Sequence, residues 1–380
     1  MLAIEPILIV TIRIEGVASP RTWLLASPHA GDNSQLFALA EALGWPYETK
    51  RLAYRPSEKI LRFLGRASLA SVDRTRSDEI SPPFPDLIIT AGRAAEAITA
   101  WMRRNGNRNV RVVFIGTPWS ALDAFDLVIA TPQYRLTEHA NLLANALPLH
   151  RVTPETLAAA AERWQARLER FASPRIAVLV GGSSGPYVFD AASAARLGRE
   201  ASALAGACGG SLLVSTSART GTRAARALTQ AVSVQTYFHD WSGTGLDNPY
   251  LAFLALADEI VVTADSVSMI AEACASGKRV RLFDIEAGRQ SMRQEEDKRR
   301  TDGTLPPPHW RGRTLGSTGF RLAMRLAPPR LSRDLRIVHD NVVAAGLASW
   351  LGHTPPAPRC AAVPSDLTHA VTRVRSLFNL

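Results

Sequence analysis

Short apolar runs alternate with stretches of helical periodicity along the first half of the chain. Strands are predicted at residues 23–26, 87–89, 110–115 and 127–130, and helices at residues 35–43 and 94–103. This alternation is typical of a parallel sheet that helices cover on both faces, because such strands are buried on both sides.

The same alternation starts again at Arg175. Strands are predicted at residues 176–180, 211–214, 260–262 and 280–283, and helices at residues 191–205, 224–228, 251–257 and 267–275. A single hydrophobic core stops growing at roughly 250–300 residues. A chain of 380 residues is therefore expected to form two domains. The predicted fold class is α/β, with two Rossmann-like lobes.

The two halves are joined by a helical stretch at residues 154–171, which Ser173 and Pro174 close. We predict an N-terminal lobe over residues 1–150, a linker helix and hinge over 151–174, a C-terminal lobe over 175–330 and terminal helices over 331–380. One terminal helix is expected around residues 332–351. In the last one, Leu367, Val371, Val374 and Phe378 share a face, which is typical of a helix that packs back onto a lobe.

The net charge of the chain indicates which classes of partner it could bind. The chain has 44 Lys and Arg residues against 34 Asp and Glu residues, a formal net charge of +10. Such an excess is expected to attract nucleic acid, phospholipid or a phosphorylated substrate. Nucleic acid is the least favoured of these, because the arginines are scattered and no nucleic-acid motif with interleaved aromatic residues is present.

Cysteine spacing and hydropathy exclude further classes. Cys208, Cys274 and Cys360 lie far apart and form no C-x-x-C pair, which disfavours a disulfide framework and a zinc site. No D-x-D element or metal-ligand spacing occurs, so no catalytic metal is predicted. The chain lacks an uninterrupted apolar run of about 18 residues, and its apolar start lacks a basic flank and a cleavage site. We expect a cytoplasmic protein that keeps its N-terminus.

A glycine-rich turn follows the strand at residues 176–180 and precedes a helical segment. Its residues, the predicted phosphate contacts, are Gly181, Gly182, Ser183, Ser184 and Gly185. Glycine lets the backbone approach an anion, and backbone N–H groups and serine hydroxyls would supply donors. The turn lacks the lysine of a P-loop, which disfavours a Walker-type nucleotidase, and such turns also occur with nothing bound.

A second polar segment follows the strand at residues 260–262, at the strand end where open α/β sheets bind ligands. Asp265 or Ser266 would cap the next helix, with Ser268 in its first turn. Two interpretations of Glu272, about two turns into the helix, remain open. It is either a solvated helix residue, or its carboxylate accepts hydrogen bonds from ribose hydroxyls while the helix start faces phosphate.

Two shorter segments of the second half also lie at predicted element ends. The first follows the strand at residues 211–214 and contains Ser215, Ser217, Arg219 and Thr220. Arg219 beside hydroxyl residues suits a diphosphate, because its planar fork forms two parallel hydrogen bonds. The second contains Asn248 and Tyr250, just before the helix at 251–257. The Tyr250 ring would stack on a base or, as the favoured interpretation, fill the core.

The corresponding loop of the first half contains His29 and Asp32. Sugar transfer to a hydroxyl group needs a base that removes its proton, and either side chain could act from across the cleft. The alternative is that Asp32 caps a helix that begins near Asn33, which would be sufficient to explain the residue.

Four strings of residues carry a family resemblance. They are Ala30-Gly31-Asp32 with Gln35, Ser217-Ala218-Arg219-Thr220, Asn248-Pro249-Tyr250, and Val262-Thr263-Ala264-Asp265-Ser266-Val267-Ser268-Met269 with Glu272. Over about residues 23–283 the chain resembles the mitochondrial-fission "elongated mitochondria" family. That family is similar in fold to GT-B glycosyltransferases, in which two Rossmann-like lobes face a central cleft. The resemblance implies a nucleotide-sugar site at residues 181–185 and Glu272, with Asp265, Ser266, Ser268 and Met269 beside it.

The residues and the resemblance together favour a metal-independent glycosyltransferase. It would move a sugar from a nucleoside-diphosphate donor to a lipid-linked or cell-envelope acceptor, and no cofactor is expected beyond that donor substrate. A non-catalytic membrane-associated scaffold of the same fold is the alternative. A dinucleotide-dependent oxidoreductase is disfavoured, because Gly-Gly-Ser-Ser-Gly does not match G-x-G-x-x-G.

Residues 50–76 are a candidate surface for binding an anionic membrane. Their basic residues are Lys50, Arg51, Arg55, Lys59, Arg62, Arg66, Arg74 and Arg76, and they contain an apolar cluster of Ile60, Leu61, Phe63 and Leu64. Basic residues beside exposed apolar ones are typical of an interfacial helix. The alternative is an ordinary helix whose apolar side is core. We expect a peripheral protein on the cytoplasmic face of the inner membrane.

Overall fold

The computed structural model describes residues 19–55, 68–106, 109–241, 247–286, 291–293, 326, 333–353 and 366–380. Its N-terminal part contains the strands β1 (Thr22–Ala26), β2 (Tyr47–Arg51), β3 (Leu87–Ala91), β4 (Arg111–Ile115), β5 (Leu127–Ala130) and β6 (Leu142–Ala144), and the helices α1 (Ala30–Leu43) and α2 (Glu96–Asn105). These strands form a parallel sheet with the order β2-β1-β3-β4-β5-β6.

A second parallel sheet follows the helix α3 (Pro154–Leu168). Its strands are β7 (Arg175–Leu179), β8 (Ser211–Ser215), β9 (Thr236–His239), β10 (Glu259–Thr263), β11 (Arg279–Phe283) and β12 (Ser349–Trp350), in the order β12-β11-β10-β7-β8-β9. The helices of this part are α4 (Ala191–Gly206), α5 (Thr222–Ala231), α6 (Tyr250–Leu256), α7 (Val267–Ala275) and α8 (Arg336–Ala344). The predicted α/β class with two Rossmann-like lobes is confirmed.

Alternate residues of the strands fill layers on both faces of each sheet. In β1, Trp23 and Leu25 pack on one face beside Ile88, whereas Leu24 packs on the other face beside Ile89. A strand that is buried on both faces needs apolar residues at successive positions. This requirement explains why the strands are visible as short apolar runs in the sequence.

The predicted helix at residues 332–351 is too long. Helix α8 ends at Ala344, and the chain turns at Gly346, whose φ of 69° lies in the left-handed region. Ser349 and Trp350 then extend the second sheet by pairing with β11. The edge strands β2, β6 and β9 were not predicted, because β2 and β9 carry polar residues and the apolar strand β6 is only three residues long.

The helix between the two sheets and the last helix each pack on one lobe. Helix α3 packs against α6, and its buried residues Trp164 and Leu168 belong to the core of the second lobe. The last helix, α9 (Asp366–Ser376), returns to the first lobe and packs on α1 with Ala370 and Val374 buried. The predicted apolar face of this helix is confirmed, since Leu367 also packs against that core.

The carboxyl edges of the two sheets face each other. Open α/β sheets bind ligands outside the carboxyl ends of their strands, where the strand order reverses. That point lies between β1 and β3 in the first sheet and between β7 and β10 in the second. A methyl group added at Gly31 of α1 would lie 3.2 Å from Oγ of Ser268 in α7. The described chain contains no helix that is long and apolar enough to cross a lipid bilayer.

Candidate functional site

Three loops at the carboxyl edge of the second sheet are locked together. They are the β7 loop (residues 180–190), the β8 loop (residues 216–221) and the β10 loop (residues 264–266). The N–H of Gly181 donates to Oγ1 of Thr263 at 2.7 Å, and the N–H of Gly182 donates to Oδ2 of Asp265 at 2.9 Å. The first two amides of the glycine turn are therefore used within the protein.

The first two glycines of the turn make room for the protein's own groups. A methyl group on Gly181 would lie 2.3 Å from Oδ2 of Asp265, and one on Gly182 would lie 2.1 Å from the carbonyl oxygen of Arg219. Side chains do not fit at such distances. The glycine turn thus has a packing requirement that involves no ligand, and phosphate binding by it stays a prediction.

The hydroxyl groups predicted to contact phosphate also have partners inside the protein. Ser217 and Thr220 both donate to the carbonyl oxygen of Gly181, at 2.6 and 2.7 Å. Oγ of Ser183 accepts from the N–H of Phe189 at 3.0 Å. These bonds fasten the β8 loop to the β7 loop and fix the start of the turn.

The rest of the β7 loop leads away from the turn before a helix begins. The N–H of Ser184 donates to the carbonyl oxygen of Tyr187 at 3.0 Å, and Gly185 has a left-handed φ of 59°. Helix α4 starts at Ala191, with the carboxylate of Asp190 as its cap. The glycine turn therefore does not open directly into a helix.

Asp265 and Arg219 form an ion pair at the centre of the three loops. Nη1 of Arg219 lies 2.9 Å from Oδ2 of Asp265, whose side chain is fully buried, whereas the Arg219 side chain is 42% exposed. Burial raises the pKa of Asp265, and the charge of Arg219 opposes that rise. Among the described residues, Oδ1 of Asp265 has no hydrogen-bond partner.

Helix α7 begins without a side-chain cap. Ser266 occupies the N-cap position but makes no capping hydrogen bond, and Asp265 is turned away towards Gly182 and Arg219. Ser266 thus occupies the predicted N-cap position, but neither Asp265 nor Ser266 forms the expected capping hydrogen bond. Ser268 lies at the lobe contact, where the start of α7 faces the start of α1.

The carboxylate of Glu272 joins the two lobes. It accepts a short hydrogen bond from the hydroxyl of Tyr250 and another from Ser34 of the first lobe. Burial raises the pKa of Glu272, and these two hydrogen bonds oppose that rise. Burial and the neighbouring carboxylate raise the pKa of Tyr250 well above its ordinary value. Oδ1 of Asn248 accepts from the N–H of Tyr250 at 3.0 Å and so orders the start of α6.

Two of the predicted contact residues belong to the framework of the second lobe. Ser215 is buried at the end of β8, and its carbonyl oxygen accepts from the N–H of Val180 at 2.9 Å. Met269 packs against the core beneath α7. Neither contact tests a role in binding, so both roles stay predictions.

The first lobe presents a smaller network at the end of β1. Oγ of Ser27 donates to Oδ2 of Asp32 at 2.8 Å, and the side-chain amide of Asn33 binds both the N–H and the carbonyl oxygen of Ser27, each at 2.8 Å. Helix α1 begins at Ala30, so Asp32 lies in its first turn and is not its cap. His29 is the N-cap residue, exposed and without a side-chain capping bond.

The described residues include no group of three or more His, Cys, Asp or Glu side chains that could hold a metal ion. Cys274 is buried, which raises the pKa of its thiol to about 12. Neither observation adds a ligand site to the loops above.

Two residues of this region were missed in the sequence. Ser34, which donates to Glu272, lies between Asp32 and Gln35 of the family string, and Ser27, which donates to Asp32, precedes that string. The available signal was their position, because both flank the predicted loop of His29 and Asp32 at a strand end.

The fold and the facing strand ends define a two-lobed α/β protein of the GT-B architecture. The chain belongs to the mitochondrial fission ELM1 family, whose model matches residues 30–309. The family resemblance predicted from the sequence is therefore confirmed.

Two relatives match at the level of sequence. The mitochondrial fission protein ELM1 of Arabidopsis thaliana is 30% identical over 220 residues, which cover 52% of this chain and 51% of the relative. An uncharacterized protein of Rickettsia prowazekii (strain Madrid E) is 25% identical over 296 residues, 69% of this chain and 82% of that protein. The chain thus spans about half the length of the Arabidopsis relative.

The comparison with solved structures gives similarities at low identity. A UDP-GlcNAc 2-epimerase from Neisseria meningitidis bound to UDP-GlcNAc is 11% identical with a TM-score of 0.41, over 86% of this chain and 97% of that one. A glycosyltransferase from Rickettsia africae ESF-5 is 9% identical with a TM-score of 0.41, over 95% and 99%. Values this low carry no conclusion about the function of this chain.

Proposed function

We propose that the chain is a metal-independent glycosyltransferase that moves a sugar from a nucleoside-diphosphate donor to a lipid-linked or cell-envelope acceptor. The observation that carries the proposal is the meeting of two helix starts at the facing strand ends, with Gly31 of α1 opposite Ser268 of α7. A helix start offers unpaired N–H groups and a partial positive charge, which suit a diphosphate.

The donor would lie on the second lobe. The start of α7 and the guanidinium of Arg219 would balance the charge of the diphosphate. Helix α7 follows β10 at the reversal point of the strand order, and Arg219 reaches that point from the β8 loop through its ion pair with Asp265. Glu272 lies further along α7, and its carboxylate would exchange its hydrogen bond from Ser34 for one from a ribose hydroxyl. This exchange would couple donor binding to a change at the lobe contact.

The acceptor would lie on the first lobe, with Asp32 as the base. As the acceptor oxygen attacks the anomeric carbon, Asp32 would take the hydroxyl proton, and the nucleoside diphosphate would leave with the electrons of its bond to that carbon. The half-buried Asp32 suits this role, because its hydrogen bond from Ser27 fixes one carboxylate oxygen. The exposed His29 at the N-cap is the second candidate base.

A thermal-shift screen against nucleoside diphosphates and nucleotide sugars tests the proposal. A ligand that binds the folded state alone raises the melting temperature by mass action, with about 2.7 kcal/mol of stabilisation at 100 times its Kd. We expect one nucleotide to stabilise the protein by several degrees. Slow release of the nucleoside diphosphate from the matching nucleotide sugar should follow.

One observation favours the second candidate, a non-catalytic scaffold of the same fold. The amides of Gly181 and Gly182 and the hydroxyls of Ser217 and Thr220 are bound to the protein's own groups. These same internal hydrogen bonds would be present in a lobe that no longer binds nucleotide. The same screen separates the two candidates, because a scaffold would be stabilised by none of the nucleotides.

Membrane association through residues 50–76 stays a proposal that rests on the sequence. The residues that carry it, Lys59, Arg62 and Arg66 with the apolar cluster, lie outside the described residues. At the edge of the stretch, Lys50 is engaged by Glu48 at 2.6 Å. Binding to anionic vesicles that falls with salt, and is lost when Lys59, Arg62 and Arg66 become Glu, would support it. Equal binding by that variant would contradict it.

A further inference from the structure

The side chain of Asp265 is closed off from any ligand in the cleft. It is fully buried, and the space that a side chain at position 181 would need is filled by both of its carboxylate oxygens. The N–H of Gly182 covers Oδ2 from one side at 2.9 Å, and the guanidinium of Arg219 covers it from another. A nucleotide at the strand ends therefore does not touch Asp265.

Arg219, in contrast, is open to the cleft edge. Its Nη1 is used by Asp265 and, at 3.4 Å, by the carbonyl oxygen of Ser183. Within the described part of the chain, its Nε and Nη2 have no partner, and the side chain is 42% exposed. Because the guanidinium is planar, two acceptors on Nη1 restrict the directions in which the other N–H groups can point.

The buried position of the Asp265 carboxylate is energetically unfavourable by itself and needs a physical explanation. A buried carboxylate costs several kcal/mol of desolvation unless charges and hydrogen bonds compensate for it. Asp265 does not cap α7, although it stands next to the N-cap, and its Oδ1 has no partner among the described residues. The groups that it contacts are the amide of Gly182, the hydroxyl of Thr263 and the guanidinium of Arg219.

We infer that Asp265 is a positioning residue, which holds the guanidinium of Arg219 as a fixed receptor for the diphosphate of the donor. This inference rests on the proposed function and deepens it, because it names the residue that holds Arg219 in place for the anion. The N–H of Gly182 donates to Asp265, and the N–H of Gly181 donates to the neighbouring Thr263. The diphosphate would be bound by the Nε and Nη2 groups of Arg219, whose guanidinium Asp265 restrains through Nη1.

Pyrophosphate isolates the anion contact from sugar and base, so its affinity is the quantity to measure. Calorimetry would compare the full-length wild type with Arg219→Ala, Asp265→Asn and the double variant. Each single variant is expected to lose about tenfold in affinity, as for one lost charge-assisted hydrogen bond. The double variant should lose no more than either single one, because a positioning residue has nothing left to position.

Asp284→Asn is the matched control. Asp284 is also buried at a strand end of the second sheet, and it also faces an arginine, Arg293, at 3.8 Å. Its hydrogen bonds come from Ser291 and from the N–H groups of Met292 and Glu286, none of which belongs to the three loops. We expect this variant to lose stability and to bind pyrophosphate as the wild type does. A purely structural role of Asp265 would make Asp265→Asn behave in the same way.

The outcomes are distinct. Wild type that binds neither pyrophosphate nor any nucleoside diphosphate overturns the proposed function and the inference with it. Wild-type binding that Asp265→Asn retains, or losses that add in the double variant, overturn the inference alone. If Asp265→Asn does not fold, Arg219→Lys decides. A fixed fork predicts a loss close to that of Arg219→Ala, whereas wild-type affinity for pyrophosphate would mean that a simple point charge is enough.

Discussion

The strand-end loops of the second lobe are locked together, whereas the loop at the end of β1 in the first lobe is held by one small network. In the second lobe, the fully buried Asp265 ties the β7 and β8 loops to the β10 loop. In the first lobe, the half-buried Asp32 accepts from Ser27, and Asn33 clamps the backbone of Ser27. One carboxylate is part of the framework, and the other stands at its surface.

Because the two carboxylates differ in burial, substitutions at them should affect different properties, namely the stability of the fold and the rate of the reaction. A buried charged group that loses its partners destabilises the fold by several kcal/mol, because the remaining groups stay desolvated. A half-exposed carboxylate regains water when it is changed, and changes at such sites are usually within about 0.5 kcal/mol. We therefore expect changes at the buried charged groups of the second lobe to lower stability in addition to any effect on binding, and changes at Asp32 to lower the rate.

The largest expected effect is that of Asp32→Asn. The amide keeps the shape of the side chain but cannot take a proton, so the release of nucleoside diphosphate from the donor sugar should fall by about 10²–10⁴-fold. Donor affinity by calorimetry and the melting temperature should stay near the wild-type values. The measurement is the initial rate with the nucleotide sugar that stabilises the wild type.

Asp123→Asn is the control for this change, since Asp123 is an exposed aspartate of the same lobe that pairs with His139 at 3.1 Å. It should leave the rate unchanged. If Asp32→Asn lowers the melting temperature while the rate per folded molecule persists, Asp32 supports the first turn of α1 and is not the base. The contrast between the lobes would then be lost.

The next effect concerns His339, which lies under the β10 loop. Nε2 of His339 donates to the carbonyl oxygen of Ala264 at 2.6 Å, and burial lowers the pKa of the imidazole to about 4 from 6.5. Between these two pH values the unfolded chain takes up a proton that the folded chain does not. The free energy of unfolding should therefore fall by up to about 3 kcal/mol as the pH drops through this window.

Urea unfolding at several pH values from about 7 to 4 measures this contribution as the difference between the wild type and His339→Gln. The difference is needed because burial raises the pKa values of Asp265, Glu272 and Asp284, which stabilises the folded form at low pH. A difference that does not change with pH would show that His339 is not buried in its neutral form. The locked loops would then be more open than described.

The sequence predicted where the strands of the candidate site end, but it did not predict which side chains contact each other there. The apolar runs and the glycine turn at Gly181 located the β7 and β10 loops, because their signals are local. The ion pair of Arg219 and Asp265 joins residues that are 46 positions apart in the sequence. The residues around each of them contain no pattern that predicts the other as its partner. The same holds for Ser34 and Glu272, which meet only when the two lobes face each other.

Smaller effects on stability are expected from glycine substitutions at the carboxyl edges of the two sheets, and they test how tightly each edge is packed. Gly181→Ala would place its methyl group 2.3 Å from Oδ2 of Asp265, in a locked network, and should destabilise the fold by about 1–3 kcal/mol. Gly31→Ala meets the hydroxyl of Ser268 at 3.2 Å, and that side chain can rotate, so its effect should be well below that of Gly181→Ala. Gly206→Ala, with an ordinary contact at 3.7 Å, is the control and should be neutral or stabilising.

The melting temperatures of these three variants, measured in one buffer, decide whether the second lobe is the more rigid one. Equal losses for Gly181→Ala and Gly31→Ala would contradict the contrast. A stable Gly181→Ala would mean that the carboxylate of Asp265 moves aside at little cost, which would also weaken its role as a fixed support.

The smallest effect is expected at the place where the two lobes touch. Glu272→Gln keeps an acceptor for the hydroxyls of Tyr250 and Ser34 but removes the charge that would attract ribose hydroxyls. Nucleotide affinity should fall by about tenfold, which corresponds to about 1.4 kcal/mol. Tyr250→Phe removes the competing donor and should bind nucleotide at least as tightly as the wild type. Calorimetry with the nucleotide that stabilises the wild type measures both, and wild-type affinity in Glu272→Gln would remove the residue from the site.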